Sequence, residues 1–257
     1  MDFSSAFAFV LIAGLSTGLG GALTFIVRKE DEKFLPISVG FAAGIMVFLA
    51  LTEFLAESKE SLYEVIGRYG EVTAATCFLA GIFIVAIIDF LFPHNSSERI
   101  SANRGNEELS RTGLVTALAV SLHNIPEGIA MVFLIMHDPA SAIPLLVAVV
   151  AHNIPAGIAV ALPVYYASLS KRKALVYSVL TGLTQPLSAL AGYLFLASHL
   201  NSVAFGCLYA VAAGVIVFIA IDDLLPTAFR HGKRHHVTYS FVLGMIVMAF
   251  CFLVFSH

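Results

Sequence analysis

The sequence contains few charged residues, only 12% Asp, Glu, Lys and Arg, against about 25% in an ordinary soluble protein. Hydrophobic residues make up 59% of the chain, and the mean hydropathy is +0.91. A single compact core cannot bury that much apolar surface, so lipid must cover the excess. The net charge of -3 is small and gives no indication of a nucleic-acid partner.

Cysteine is also scarce, and its placement excludes a disulfide framework. Cys77, Cys207 and Cys251 are odd in number and lie inside apolar runs, where they fit small core residues and indicate no cysteine-type zinc site. The N-terminal segment lacks the basic residues that open a secretory signal. Its apolar run continues to Val27, which is longer than a signal peptide requires, so we interpret it as a first membrane span.

Apolar runs long enough to cross the hydrocarbon core, about 20 residues, recur along the whole sequence. Helix is the state that satisfies every backbone group in lipid. The sequence therefore predicts an all-α polytopic membrane protein, with residues 1–257 forming a single transmembrane domain. We place its eight spans at about Phe3–Val27, Leu35–Leu55, Val72–Phe92, Gly113–Met136, Ala142–Ala167, Ala174–Ala197, Val203–Thr227 and Val237–Phe255.

The basic residues predict the orientation of these spans. Twelve of the 14 lie in odd-numbered loops, and only Lys59 and Arg68 lie in an even-numbered one. Cytoplasmic loops are enriched in Lys and Arg. We therefore expect the odd-numbered loops in the cytoplasm and both termini outside, with the protein in the plasma membrane.

Two pairs of similar segments predict an inverted repeat. Phe41–Ser58 aligns with Val211–Ala228 at an offset of 170, with seven identical positions and with Glu53 opposite Asp223. Between them, the segment LHNIPEGIA in span four is similar in sequence to AHNIPAGIA in span five. The predicted topology makes the members of each pair antiparallel, so we expect three spans, two central spans and three spans. Transporters built in this way bind substrate at the repeat interface near the midplane.

The central pair of spans carries the residue types of a metal site. His123 and Glu127 are four residues apart and project from one helical face, and Pro126 between them frees a backbone carbonyl. His152 and Pro155 repeat the pattern on span five. Imidazole with carboxylate suits Zn²⁺ and other first-row divalent ions, whereas Ca²⁺ and Mg²⁺ prefer oxygen alone.

Helix packing is the competing interpretation of these residues. A lone buried histidine is more often a hydrogen-bonded packing residue than a ligand, but the duplication of the motif at membrane depth favours metal binding. The amides of Asn124 and Asn153 fit interhelical hydrogen bonding and coordination equally well.

With these motifs, the chain resembles the ZIP family of divalent-metal transporters, particularly its compact bacterial members. The resemblance spans nearly the whole chain and is carried by GFAAGIM at Gly40–Met46, DFLFPH at Asp89–His94, SLHNIPEG at Ser121–Gly128, AHNIPAG at Ala151–Gly157 and IDDLLP at Ile221–Pro226. It implies the 3+2+3 inverted repeat, passage of Zn²⁺ and similar ions toward the cytoplasm, and a site on spans four, five and six. It also implies a homodimer, and it implies Zn²⁺, Cd²⁺, Fe²⁺, Mn²⁺ or Co²⁺ as the transported substrate, with no cofactor.

The chain departs from the family pattern at two carboxylates that help to build a second metal position. Ala156 stands where the family usually has Glu, and Gln185 replaces a Glu on span six. A second dication would face repulsion with little compensation. We therefore predict a single metal held by His123, Glu127 and His152 and completed by Gln185, Asn124 and water.

Other acids and other functions have to be weighed separately. Glu53 is a candidate to guide an ion in, and Asp222 and Asp223 are candidates to guide it out, although solvated carboxylates at helix ends explain them equally well. An intramembrane metal-dependent hydrolase would need a base or nucleophile that the motif helices lack, since the sequence has no HExxH. A family member that binds metal without moving it is the other alternative.

Overall fold

The structure, a computed structural model, describes residues 1–26, 33–91, 104–196 and 202–255. Within these residues it is helical without strands, and eight helices are long and apolar enough to cross a membrane. The predicted all-α polytopic fold is therefore confirmed. The eight helices are α1 (Phe3–Phe25), α2 (Phe34–Ile66), α3 (Tyr69–Leu91), α4 (Arg104–His137), α5 (Ala142–Ser168), α6 (Lys171–Phe195), α7 (Ser202–His231) and α8 (Arg234–Phe255).

Short polar connections set the ends of several helices. Gly67 follows α2 with a positive φ of 60°, a conformation that glycine adopts without strain. The Asp138 side chain accepts a hydrogen bond from the Ala140 amide in the turn between α4 and α5, and Ser170 caps the start of α6 through the Lys173 amide. Several helices are longer than predicted, and two differ most: α2 continues past Leu55 to Ile66, and α4 begins at Arg104, before Gly113.

Both α2 and α7 contain a π-helical segment at the same place in the predicted repeat. The segments are Ala50–Phe54 in α2 and Ala220–Leu224 in α7, and they contain the aligned acids Glu53 and Asp223. A π turn accommodates an extra residue and shifts the face on which the following side chains lie, and such turns are frequent at functional sites.

The helices pack as two groups of four. One group contains α1, α4, α5 and α6, and the other contains α2, α3, α7 and α8. Glycines allow the backbones to approach closely within each group, as is usual in membrane proteins. A Cβ atom at Gly14 of α1, for example, would lie 2.5 Å from the Gly182 carbonyl oxygen of α6. The groups meet where α2 contacts α5 and α7 contacts α4.

The packing pairs follow the pattern that an inverted repeat produces. The test is to exchange α1 with α6, α2 with α7, α3 with α8 and α4 with α5. After this exchange, each major pair of contacting helices corresponds to a pair that is also in contact in the structure. The contact of α1 with α5 becomes that of α6 with α4, and the contact of α2 with α8 becomes that of α7 with α3. The repeat itself stays a prediction.

Candidate metal site

The structure brings His123, Glu127 and His152 together between α4 and α5. The two residues of α4 lie one helical turn apart, and the third reaches them from the neighbouring antiparallel helix. His152 Nε2 lies 2.7 Å from Glu127 Oε1, and His123 Nε2 lies 3.8 Å from Glu127 Oε2. The centroids of the two imidazole rings are 5.7 Å apart. One carboxylate is therefore flanked by two imidazole nitrogens.

These three side chains are buried, and several of their polar atoms have no protein partner. The exposed fractions are 3% for His123, 7% for Glu127 and 6% for His152. Within the described part of the chain, His123 Nδ1, His152 Nδ1 and Glu127 Oε2 make no hydrogen bond. Leaving buried polar groups unpaired is costly, so this cluster is suited to a ligand that supplies the missing interactions.

The spacing of the cluster suits a single divalent cation. One potential ligand atom from each residue lies within 4.8 Å of the others. Zinc binds nitrogen and oxygen at about 2.0–2.2 Å, which places neighbouring tetrahedral ligands about 3.4 Å apart. Coordination therefore requires side-chain shifts of about an ångström, with His152 moving away from Glu127 and His123 moving closer. Two imidazoles and one carboxylate leave room for a further ligand or water.

The three predicted amide ligands are fully buried and tie helices together. Asn153 Nδ2 donates to both the Ala13 carbonyl of α1 and Gln185 Oε1 of α6, at 2.9 Å each. Gln185 Nε2 lies 3.9 Å from the sulfur of Met131. Asn124 Nδ2 donates to the Thr181 carbonyl of α6. Interhelical bonding is thus established for all three residues, whereas their metal coordination stays a prediction.

A cavity of about 380 Å³ leads to this cluster. Its wall includes Glu127 and His152, and it continues past Glu53 and Glu57 of α2 toward Ser202 at the start of α7. No Lys or Arg is among its lining residues. The wall is otherwise rich in apolar and aromatic side chains. Three carboxylates in a wall that contains no Lys or Arg favour the uptake of cations.

The cavity opens toward one side of the protein. It is lined by the last part of α2 and by the beginning of α5 and α7, the ends that the even-numbered loops connect. On the opposite side of the cluster, small and branched side chains of α4, α5 and α7 form a closed hydrophobic core that includes Val120, Ala156, Ala159 and Ile216. The structure therefore gives access to the cluster from the even-numbered loops.

The predicted pathway acids fall on different sides of the cluster. Glu53 is exposed and lines the cavity, together with Glu127. Asp223 is buried, with only 7% of its surface exposed, and Asp222 is exposed. Both aspartates lie on the half of α7 nearer its odd-numbered loop, outside the cavity wall. The roles of all three acids in the passage of an ion stay predictions.

Sequence reasoning missed several residues of the cavity wall. Glu57 follows Glu53 by one helical turn, and Met131 follows Glu127 by one turn, so their spacing could have identified them. Phe54 and Tyr209 also line the cavity. No sequence signal identified Phe54, because its direction depends on the π-helical segment that contains it.

Comparison with known proteins identifies the family. The family model described as ZIP Zinc transporter matches residues 94–251, more than half of the chain. The chain belongs to the ZIP family. This assignment confirms the resemblance that the HNIPEG and IDDLLP motifs indicated, and ZIP proteins are transporters rather than enzymes.

Relatives in this family align over nearly their full length. The zinc transporter ZupT of Corynebacterium efficiens is 43% identical, and the alignment covers 99% of this chain and 100% of that protein. ZupT of Clostridium perfringens is 40% identical, covering 97% of this chain and 95% of that protein. ZupT of Streptococcus mutans is 38% identical, with 98% and 97% covered. The chain is therefore similar to compact bacterial ZIP members.

Proposed function

We propose that this protein transports divalent metal ions, with Zn²⁺ as the main substrate, through the site formed by His123, Glu127 and His152. Membership of the ZIP family and similarity to zinc transporters support the transport of zinc. The convergence of two imidazoles and a carboxylate, all buried, is the observation that supports the site. Transport of Cd²⁺, Fe²⁺, Mn²⁺ and Co²⁺ is an extension of this proposal, since these ions use similar ligands.

The site lies near the middle of the bilayer in this proposal. Glu127 is ten residues from the end of α4 at His137, and His152 is ten residues from the start of α5 at Ala142. At 1.5 Å per residue each distance is about 15 Å. This is half of the hydrocarbon thickness of about 30 Å.

Ions enter from the side of the even-numbered loops and leave toward the odd-numbered loops. Support for the entrance comes from the cavity, whose carboxylates Glu53 and Glu57 precede Glu127. Support for the direction comes from the basic residues of the odd-numbered loops, which favour a cytoplasmic location. With that orientation both termini lie outside, and transport proceeds into the cell across its membrane.

The protein carries one ion at a time. Ala156 offers no ligand atom, and the Gln185 carbonyl oxygen already accepts a hydrogen bond from Asn153. Among the described residues, Glu127 is then the one carboxylate that belongs to the three-residue cluster. Two adjacent dications would repel each other strongly without further negative charge.

The inverted repeat supplies the movement that release requires. The two four-helix groups meet along α2 with α5 and along α4 with α7, and these contacts exchange under the proposed symmetry. In transporters with such repeats one group rocks against the other to open the opposite side. A homodimer, which the family resemblance implies, is also a proposal.

Zinc uptake into proteoliposomes tests the transport proposal. Wild-type protein should accumulate zinc, and His123→Ala should reduce uptake to the level of empty vesicles. Glu64→Gln, an exposed residue of α2 outside the cavity wall, is a matched control that should leave uptake unchanged. If folded wild-type protein binds zinc but moves none, the metal-binding, non-transporting alternative is correct. Uptake that persists in His123→Ala would show that the transport site does not depend on His123 and lies elsewhere.

A further inference from the structure

Phe54 of α2 contacts the imidazole of His123 directly. The two ring centroids lie 4.7 Å apart, with an interplanar angle of 50°. Tyr209 of α7 packs edge-on against the same phenyl ring, with centroids 5.1 Å apart. Phe54 is 2% exposed, so its ring is held firmly between the two helices. A residue outside the cluster therefore packs on one of its three members.

Phe54 also separates His123 from the cavity. Phe54, Glu127 and His152 contribute to the cavity wall, whereas His123 does not. His123 is the most deeply buried of the three at 3% exposure. An ion in the cavity therefore has direct access to Glu127 and His152, while the phenyl ring lies next to the third imidazole.

His123 has few other restraints on its orientation. Its Nδ1 atom has no hydrogen-bond partner among the described residues. Its Nε2 atom lies 3.8 Å from Glu127 Oε2, beyond hydrogen-bond distance. Histidines that bind metal are usually oriented by a hydrogen bond from their second nitrogen. Among the described residues, the ring contacts of His123 are instead with Phe54 and His152.

We propose that Phe54 is a positioning residue of the metal site, which holds the His123 imidazole toward Glu127 and shields it from the cavity. The proposal rests on the proposed function, because it requires His123 to be a ligand. Glu53 and Phe54, adjacent in sequence, both belong to the π-helical segment Ala50–Phe54 and both line the cavity. The segment thereby couples an acid at the entrance to the packing of an inner ligand.

Binding of Co²⁺ to the purified protein in detergent tests the positioning role, because the visible absorption of Co²⁺ reports its coordination. Phe54→Ala should weaken Co²⁺ binding by about 10- to 100-fold, the range found when residues that orient ligands are removed. It should also change the absorption spectrum. Phe54→Tyr keeps the ring and should retain affinity and spectrum. Phe205→Ala, a ring of the same cavity wall with no described contact to His123, is the control and should bind Co²⁺ as the wild type does.

A double-mutant cycle distinguishes positioning from a general loss of structure. If Phe54 acts through His123, then Phe54→Ala combined with His123→Ala should bind no more weakly than His123→Ala alone. If the two substitutions reduce affinity additively, Phe54 does not act through His123 and the positioning proposal is wrong, but the proposed metal site is not contradicted. Wild-type affinity in His123→Ala would instead contradict the proposed function itself, and the positioning proposal with it. Phe54→Leu, which preserves more packing, provides the same comparison if Phe54→Ala does not fold.

Chemical modification of histidine tests the shielding without any metal. Diethylpyrocarbonate should modify His152 readily in the wild type and His123 slowly, as measured by peptide mass spectrometry. Phe54→Ala should increase modification of His123 several-fold, and Phe205→Ala should not. Equal modification of His123 in wild type and Phe54→Ala would show that the ring does not shield it.

Discussion

His152 of α5 reaches across to α4, where its Nε2 atom lies 2.7 Å from Glu127 Oε1. The same contact that joins the two central helices therefore uses the groups that are proposed to bind the metal. In the proposed site, an ion inserted between them would replace a helix–helix interaction with two metal–ligand bonds. Binding and release of the ion would then be coupled to the packing of α4 on α5.

Glu127→Gln should abolish this coupling. The substitution keeps the size of the side chain but removes the negative charge of the cluster. Zinc affinity should therefore fall by about 100-fold or more, because removing a residue that only orients a ligand already lowers metal affinity by about 10- to 100-fold. Isothermal titration measures the affinity, and proteoliposome uptake measures transport. Glu57→Gln, at the mouth of the same cavity, is the matched control and should change affinity by less than about threefold, as is usual for exposed charges.

Gln185→Glu should convert the site from one metal to two. The new carboxylate is nearly isosteric with the amide and can still accept the hydrogen bond from Asn153, while its charge reduces the repulsion between neighbouring dications. Metal content after gel filtration, measured by mass spectrometry of the elements, should rise from one Cd²⁺ per chain toward two. A wild-type protein that already holds two tightly bound ions would contradict the proposed stoichiometry.

Acidic solution should weaken metal binding. A protonated imidazole has no lone pair to donate, so protons compete with the metal for His123 and His152. Affinity should therefore fall by about tenfold for each pH unit and each histidine that becomes protonated. Titrations of zinc affinity between about pH 8 and about pH 4 measure this slope. The slope should be shallower in His123→Ala, and an affinity that stays constant down to the lowest pH would contradict coordination by imidazole.

Asn153→Ala should destabilise the packing of α5 against α1 and α6. Its amide donates to the Ala13 carbonyl and to Gln185 Oε1, and removing it leaves both acceptors without that donor. We expect a loss of about 1 kcal/mol, since an interhelical hydrogen bond in a membrane protein contributes about 0.6 kcal/mol on average and this amide makes two. Thermal unfolding in detergent measures the change. A much larger loss of zinc affinity than of stability would indicate that Asn153 is itself a ligand.

The orientation in the membrane can be tested with substituted cysteines. Lys59 and Lys173 are both exposed, at opposite ends of the helix bundle. In a background where Cys77, Cys207 and Cys251 are replaced by serine, Lys59→Cys in intact cells should react with an impermeant maleimide. Lys173→Cys should react only after the cells are opened. The reverse result would place both termini in the cytoplasm and invert the proposed direction of transport.

The sequence predicts the helices and the cluster well because both depend on local spacing and on hydrophobicity. Helix length follows from the need to cross lipid, and the i, i+4 spacing places His123 and Glu127 on one face. The antiparallel order of α4 and α5 then brings His152 to the same level. The structure confirms the fold and brings these three residues together.

Other features depend on packing that spacing does not encode. The side-chain directions of Glu53 and Phe54 follow from the π-helical segment of α2, which no sequence pattern revealed. The amide contacts of Asn153 and Gln185 depend on how closely α1, α5 and α6 approach one another. For Asn124 and Asn153 the sequence leaves coordination and helix packing as equal alternatives, because both uses require a buried amide at membrane depth.

In the proposed pathway, the length of α2 determines where an ion loses its water. The helix has 33 residues, about 50 Å at 1.5 Å per residue, whereas the hydrocarbon core is about 30 Å thick. Its last part therefore extends among the lipid headgroups, and Glu57 there can meet a fully hydrated cation. Dehydration is required only deeper, where Glu127 and His152 replace the water. Because Mg²⁺ gives up its hydration shell reluctantly, this order disfavours Mg²⁺ at the step where Glu127 and His152 replace its water.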